Sequence, residues 1–310
     1  MDTLVIRNPE LLAAALRGLS LPQKRMEPKW FYDAQGSALF ERITDLPEYY
    51  PTRTEIGILT AEVDRLAAHV PEGAELVELG SGASVKTRLL LDHLTGLSAY
   101  VPVDISAEFL ARTAGRLSAT YPDLPIHPVV ADFTLPLTLA DEGHPRVAFF
   151  PGSTIGNLDR DGALALMRSV RRWPGVESFI VGIDLIKDEA TLVRAYDDAA
   201  GVTAAFNLNL LHRMNREIGA DFEPDRFAHL ARWNAEDARI EMHLVSREDQ
   251  TVRIAGRLFR FAAGETIHTE NSHKFSRGSF AAMGREAGWN LRDFLTDGEG
   301  MFGIAVLGRD

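Results

Sequence analysis

The sequence predicts a doubly wound, Rossmann-like α/β sheet closed by an antiparallel hairpin, together with a smaller α+β domain. Three observations carry this prediction. Short apolar strands alternate with amphipathic helices between Glu75 and Asp184. A glycine-containing loop follows the first of these strands, and the alternation stops after Ile186, leaving a final helix and hairpin to complete the sheet.

Taken in order, residues 9–17 pattern as a short helix. A Pro- and aromatic-rich stretch runs from Pro22 to Pro51, with Leu39, Phe40 and Ile43 on one helical face. Thr54 to His69 is amphipathic, with Ile56, Leu59, Val63 and Leu66 at steps of three and four, and Thr52 or Thr54 can cap it. The sheet domain then begins. Strands are expected at Glu75–Leu79, Ala99–Asp104, Ile126–Ala131, Arg146–Phe150 and Ser178–Asp184, with helices at Lys86–Leu94, Ala107–Ala119 and Gly162–Val170 between them. Beyond Ile186, a helix is expected over 190–215 and strands over 240–245, 251–261 and 265–275. Phe280–Ala287 is a helix, and 290–295 and 301–307 form the closing hairpin across Asp297-Gly298-Glu299-Gly300. The expected division is 56–188 with 276–310 for the sheet domain, and 1–55 with 189–275 for the α+β domain.

The chain has 310 residues, 45% apolar and 25% charged, as ordinary globular proteins do. Its net charge of −11 disfavours nucleic acid or an anionic membrane as partner, since both are polyanions. There is no cysteine, which excludes disulfides and thiolate metal sites. The first eighteen residues, with Asp2 and Glu10, lack the basic start and apolar block of a secretion signal, and runs such as Val147–Phe150 are too short to span a bilayer. A cytoplasmic monomer acting on a small molecule is expected. Histidines such as His127, His144, His212, His229, His243, His268 and His273 show no HxH or HxxxH spacing, so no metal is expected.

In an open α/β sheet, ligands bind at the carboxyl ends of the strands. Four features fall there. Glu78-Leu79-Gly80-Ser81-Gly82 ends the first strand, and its glycines let backbone approach a ligand. A pyrophosphate site needs a third glycine opening the helix, but Ser84-Val85 stands there, which favours S-adenosylmethionine over a dinucleotide. Asp104 ends the second strand, 24 residues after Gly80, where a carboxylate accepts from ribose hydroxyls. Asp132-Phe133 ends the third and suits adenine; Lys86, in the first helical turn, suits the carboxylate of the methionine moiety. Each of these taken singly is more often a turn, a cap or a solvated charge. The closing hairpin points the same way, because class I methyltransferase sheets carry an antiparallel strand that dinucleotide-binding Rossmann domains lack.

Longer strings sharpen this. Lys29-Trp30-Phe31-Tyr32-Asp33, Leu46-Pro47-Glu48-Tyr49-Tyr50-Pro51-Thr52-Arg53, Gly152-Ser153-Thr154-Ile155-Gly156-Asn157, Gly182-Ile183-Asp184-Leu185-Ile186-Lys187-Asp188 and Gly201-Val202-Thr203-Ala204-Ala205-Phe206-Asn207 resemble the histidine Nα-methyltransferases of ergothioneine biosynthesis. The similarity covers nearly the whole chain. It implies trimethylation of free L-histidine to hercynine with S-adenosylmethionine. It implies cofactor contacts at Tyr32, Gly80, Lys86, Asp104, Asp132 and Phe133, and substrate contacts at Tyr49, Gly152, Asn157, Tyr196, Glu270 and Ser272. Tyr32, Tyr49 and Asn157 are the residues it implies nearest the chemistry.

Glu270 and Ser272 also have a reading of their own. Residues i and i+2 of a strand share a face, so the two project together. A carboxylate accepts an imidazole N–H while a hydroxyl serves the other nitrogen; indole, with one donor and no acceptor, fits less well. The alternative is an exposed polar face with Glu270 paired to Lys274. Between them, Asn271 and His273 depart from the family pattern and are expected to point away. Among functions, the runner-up is an N-methyltransferase for another aromatic amino acid such as tryptophan, and a further reading is a non-catalytic cofactor-binding module.

Overall fold

Strands form at Glu75–Leu79, Ala99–Asp104 and Arg146–Phe150 with the bounds expected, because each is an apolar run covered on both faces. In this computed structural model, which describes residues 6–82 and 85–309, they lie in a seven-stranded sheet. Its order is Asn290–Thr296, Phe302–Gly308, Val176–Asp184, Arg146–Phe150, Glu75–Leu79, Ala99–Asp104, Val129–Val130. The last five are parallel. Phe302–Gly308 runs antiparallel to Val176–Asp184, with Phe302 opposite Asp184, and to Asn290–Thr296. This is the class I methyltransferase sheet with its closing hairpin. Strand order reverses between Glu75–Leu79 and Arg146–Phe150, so the loops leaving those two strands flank the switch point.

Alternate residues of the same strands feed two cores. Val77, Val101, Phe150, Phe179 and Trp289 pack in one layer. Leu76, Tyr100, Phe149, Ile180 and Phe302 pack in the other.

The chain divides into two units, Met1–Tyr50 with Lys187–Ser272, and Pro51–Ile186 with His273–Asp310, the second holding this sheet. The boundaries fall a few residues before those expected at 55/56, 188/189 and 275/276. Glu55 and Lys274 have partners in the second unit, Lys86 and Asp184, whereas Lys187 donates to the Tyr50 hydroxyl in the first.

The first unit has its own sheet, ordered Lys24–Arg25, Thr266–His273, Arg239–Ser246, Phe227–Asn234, and a hairpin of Gln250–Ile254 with Arg257–Phe261. Helices Ala34–Thr44 and Val202–Ile218 pack against each other. Several expectations change here. The helix expected over 190–215 is two, Glu189–Tyr196 and Val202–Ile218. Asp198 accepts from the N–H groups of Val202 and Thr203 at 2.9 and 2.7 Å, and Gly201 is left-handed, so the chain restarts rather than continues. The strand expected over 251–261 folds back at Ala255-Gly256, both at positive φ (46° and 86°), the pairing a two-residue hairpin needs. Phe227–Asn234 is a strand whose weak alternation gave no sign of it. In the second unit, the helix expected over 54–69 is Tyr50–Ala61 and Val63–Ala67, and the strand expected over 126–131 shrinks to Val129–Val130. Pro128 lacks a donor, and only a single bridge, Ile126 to Tyr100, precedes it at this sheet edge.

Candidate active site

The second unit gathers one set of residues around the switch point. Gly80 and Gly82 are left-handed (φ 67° and 48°), which accounts for glycine at both places. A side-chain carbon at Gly80 would lie 3.4 Å from the Phe133 ring, so that ring closes directly over the loop. Phe133 in turn meets Phe150 edge-on at 5.2 Å. Asp104 accepts from the N–H of Gly82 at 3.2 Å and of Ser106 at 2.9 Å, tying the glycine loop to the end of the second strand. Asp132 accepts from the N–H of Thr134 at 2.9 Å. Both carboxylates therefore shape turns, as strand-end aspartates commonly do. Each oxygen has a second lone pair, so turn-making and ligand-binding are compatible. Ser84, expected where a dinucleotide loop has glycine, lies outside the described residues.

Lys86, whose side chain is 16% exposed, pairs with Glu55 at 2.5 Å. Glu55 is fully buried and also accepts from the Gly152 N–H at 2.9 and 3.0 Å. Asn157 closes the short 3-10 turn Thr154–Asn157. The Gly156 carbonyl of that turn lies 2.8 Å from Nδ1 of His273. A carbonyl only accepts, so Nδ1 carries the proton. His273 thus does not idle, as its place between expected site residues suggested; it holds the turn that carries Asn157. Glu78, at the end of the first strand, receives the hydroxyls of Thr87 and Tyr100. Burial pushes its carboxyl up to about 7, against those hydrogen bonds and the pull of Lys86.

This donor set fits S-adenosylmethionine. Carboxylates stand at the ends of two consecutive strands, a half-buried ring lies against Gly80 of the loop, and an ammonium group lies beyond the loop. Asp104 suits ribose, Asp132 and Phe133 suit adenine, and Lys86 suits the methionine carboxylate.

The first unit gathers a different set. Phe40 meets Tyr32 at 5.7 Å and Tyr49 at 6.3 Å, and Tyr49 meets Tyr196 at 6.1 Å, all edge-on. The Tyr196 hydroxyl lies 2.7 Å from the Ser272 hydroxyl. Glu270 and Ser272 are both buried, at 8% and 3% exposure. Lys274 pairs with Asp184 at 2.7 Å, both side chains fully buried, so the alternative of an exposed face with a Glu270–Lys274 pair does not hold. Tyr32, Tyr49, Tyr196, Glu270 and Ser272 thus share the first unit, and Gly80, Lys86, Asp104, Asp132, Phe133, Gly152 and Asn157 share the second.

Sequence spacing kept the histidines apart, but neighbouring strands bring two of them together. The His243 and His268 rings stack at 4.6 Å, and with Glu241 they offer ligand atoms within 4.8 Å of one another. Stacked imidazoles direct their lone pairs along separate planes, and Glu241 already accepts from Arg232 and Arg239 at 2.8 and 2.7 Å. The cluster is therefore built as a buried polar network, not aimed at one ion. Burial lowers His243 to about 4, keeping it neutral.

Glu55 was not singled out from sequence, Glu78 was quoted only as part of the glycine-loop motif, and His273 was expected to point away. Glu55 sits inside an amphipathic helix pattern and His273 inside a polar strand, and neither carries a spacing signal.

Residues 11–309 match the family described as histidine-specific methyltransferase, SAM-dependent. The chain is 46% identical over 302 residues to the histidine N-alpha-methyltransferase of Mycolicibacterium smegmatis, covering 94% of this chain and 92% of that one. The protein of the same name from Mycobacterium tuberculosis is 45% identical over 300 residues, with the same coverage. A 4-dimethylallyltryptophan N-methyltransferase of Trichophyton verrucosum is more distant, 26% identical over 282 residues, covering 83% and 81%. The matched family spans both units and nearly every residue described above, and the chain belongs to the histidine-specific, S-adenosylmethionine-dependent methyltransferases.

Proposed function

We propose that the chain trimethylates the α-amino group of free L-histidine to hercynine, the first step toward ergothioneine, with Glu270 and Ser272 reading the imidazole. The observation that carries the residue assignment is the burial of both side chains, with Ser272 bonded to Tyr196. A buried carboxylate beside a buried hydroxyl provides an acceptor for one ring nitrogen and a donor or acceptor for the other. An indole leaves part of that set unpaired, which disfavours tryptophan-like substrates.

S-adenosylmethionine, when bound, supplies a methyl group already activated on a sulfonium, so the protein's task is orientation and exclusion of water. Gly80, Lys86, Asp104, Asp132 and Phe133 hold this donor in the proposal. Asn157 and the Gly152 carbonyl hold the acceptor amine, which must shed its proton before it attacks. Tyr196 and Asn157 take the histidine carboxylate. The product of the third transfer is a fixed cation, and the rings of Tyr32 and Tyr49 tolerate that charge by cation–π attraction.

No helix among the described residues is long and apolar enough to cross a membrane. A cytoplasmic monomer is part of the same proposal, and gel filtration checks the oligomeric state.

Mass spectrometry after mixing protein, S-adenosylmethionine and L-histidine should show a gain of three methyl groups. Glu270→Ala should lower kcat/KM for histidine by about a hundredfold, the scale of losing a charged hydrogen bond to substrate, and improve relative use of tryptophan. An unchanged preference between the two substrates would remove Glu270 from imidazole recognition.

A further inference from the structure

We propose that Glu55 is the positioning residue of the methyl-donor site: its buried carboxylate holds the Lys86 ammonium in the arrangement that receives the methionine end of the donor, and ties it to the Gly152 backbone proposed to hold the acceptor amine. This rests on the proposed role of Lys86 in binding that end.

The helix Tyr50–Ala61 delivers Glu55 into the second unit, where the side chain is wholly buried. A buried carboxylate without partners is strongly disfavoured. Here it has three contacts to two partners: Lys86 Nζ at 2.5 Å, and the Gly152 N–H shared between its two oxygens at 2.9 and 3.0 Å. Two glycines make the room. A side-chain carbon at Gly182 would lie 2.1 Å from Oε1 of Glu55. One at Gly152 would lie 3.3 Å from Lys86 Nζ, and Gly152 is left-handed besides (φ 78°).

The consequence is specific to lysine. Its ammonium rides on a flexible stem, and freezing that stem on ligand binding costs rotamer entropy. Glu55 freezes it beforehand and uses one of three N–H donors, leaving two to point elsewhere. Glu78 lies close enough to feel both charges, attracted by Lys86 and repelled by Glu55; its raised carboxyl leaves Glu55 as the main counter-charge of Lys86. Glu55 contacts the two neighbours that the donor and the acceptor amine are proposed to use, and it acts through them.

The test is a double-mutant cycle read by calorimetric binding of S-adenosylhomocysteine to the full chain, with thermal melts alongside. Lys86→Met should weaken binding about tenfold or more. Glu55→Gln, which keeps shape and removes charge, should weaken it by a similar factor, and Glu55→Asp should recover part of the loss. The double variant should bind within about threefold of Lys86→Met alone, because both changes remove one device. If Lys86→Met weakens binding but Glu55→Gln does not, or if the two losses multiply, Glu55 is not positioning Lys86. If Lys86→Met has no effect, the donor-site reading of Lys86 fails and the proposal with it. Should Glu55→Gln fold poorly, Gly182→Ala displaces the carboxylate while keeping its charge. It must then show the same loss and the same non-additivity with Lys86→Met, and an unaltered affinity would equally overturn the proposal.

Discussion

The two units bury polar groups in opposite ways. The second buries whole ion pairs, Glu75 with Arg146 at 2.6 Å and Asp184 with Lys274, and pairs the fully buried Glu55 with a Lys86 that is 16% exposed. The first buries tyrosines, a hydroxyl pair and neutral imidazoles. One of its buried carboxylates, Glu241, is held ionised by arginines that reach solvent, with Arg232 56% and Arg239 21% exposed. Burial works against that ionisation, but hydrogen bonds from Asn234, both arginines and His243 hold Glu241 well below the carboxylate range. The contrast matches the proposed tasks. A donor with fixed charges is best met by fixed charges whose geometry is set before binding. An acceptor that must be neutral to attack, and that leaves as a diffuse cation, is better met by rings and hydroxyls.

The largest expected effect tests the buried pairs of the second unit. Lys274→Met takes the ammonium away from the buried Asp184 carboxylate, and should destabilise the fold by about 3–5 kcal/mol in urea denaturation. A loss below about 1 kcal/mol would mean that Asp184 finds water or another donor, and the contrast between the units would weaken.

The next effect is a pH dependence with opposite signs in the two units. Glu78 is raised to about 7 from 4.5, so between those values the folded state keeps a proton the unfolded chain has lost, and stability falls as pH rises through that window. His243 is lowered to about 4 from 6.5, so the unfolded chain holds the extra proton and stability falls as pH drops through that window. Each limb is at most on the order of 3 kcal/mol. The windows overlap, so the two slopes oppose each other between about 4.5 and 6.5, and Glu78→Gln should leave only the His243 slope, with stability rising with pH there. A parallel shift of the whole stability–pH curve would show that Glu78 does not titrate there.

The smallest effect is in the first unit. Tyr196→Phe removes one hydroxyl 2.7 Å from Ser272. It should raise the histidine KM about fivefold, on the scale of one neutral hydrogen bond, with little change in stability. Tryptophan shares the carboxylate that Tyr196 is proposed to take, so an equal loss against tryptophan would leave the Tyr196 hydroxyl that role alone and detach it from ring recognition through Ser272, and an unchanged histidine KM would remove both.

The strands of the large sheet were legible because each is a short apolar run between turn residues, a pattern that depends only on neighbours in sequence. The glycine loop, Asp104 and Asp132-Phe133 were legible because they stand at ends of such runs. Where legibility failed, the deciding contact was distant. The break at Asp197–Gly201 was hidden because helical patterning continues on either side of it. Phe227–Asn234 was hidden because only Phe227 and Ala231 along it are buried. Glu55 carried no sequence signal of its own; its partners Gly152 and Lys86, and the room left at Gly182, come from distant parts of the chain.

By itself, then, the sequence determined the fold class and, through its resemblance, the family, and it picked out the strand-end residues proposed for the donor site. Period, turn chemistry and strand-end carboxylates are local quantities, and they are written in order along the chain. Tertiary structure alone decided which charges are paired, which histidines meet, and that His273 grips the turn bearing Asn157. Burial and partner choice depend on residues more than a hundred positions apart, such as His273 and Gly156, and no local pattern encodes such a meeting. The strand-end loop from Glu78 to Gly82 could be read as a cofactor site from neighbours alone; the carboxylate of Glu55 that orders the lysine beyond it could not.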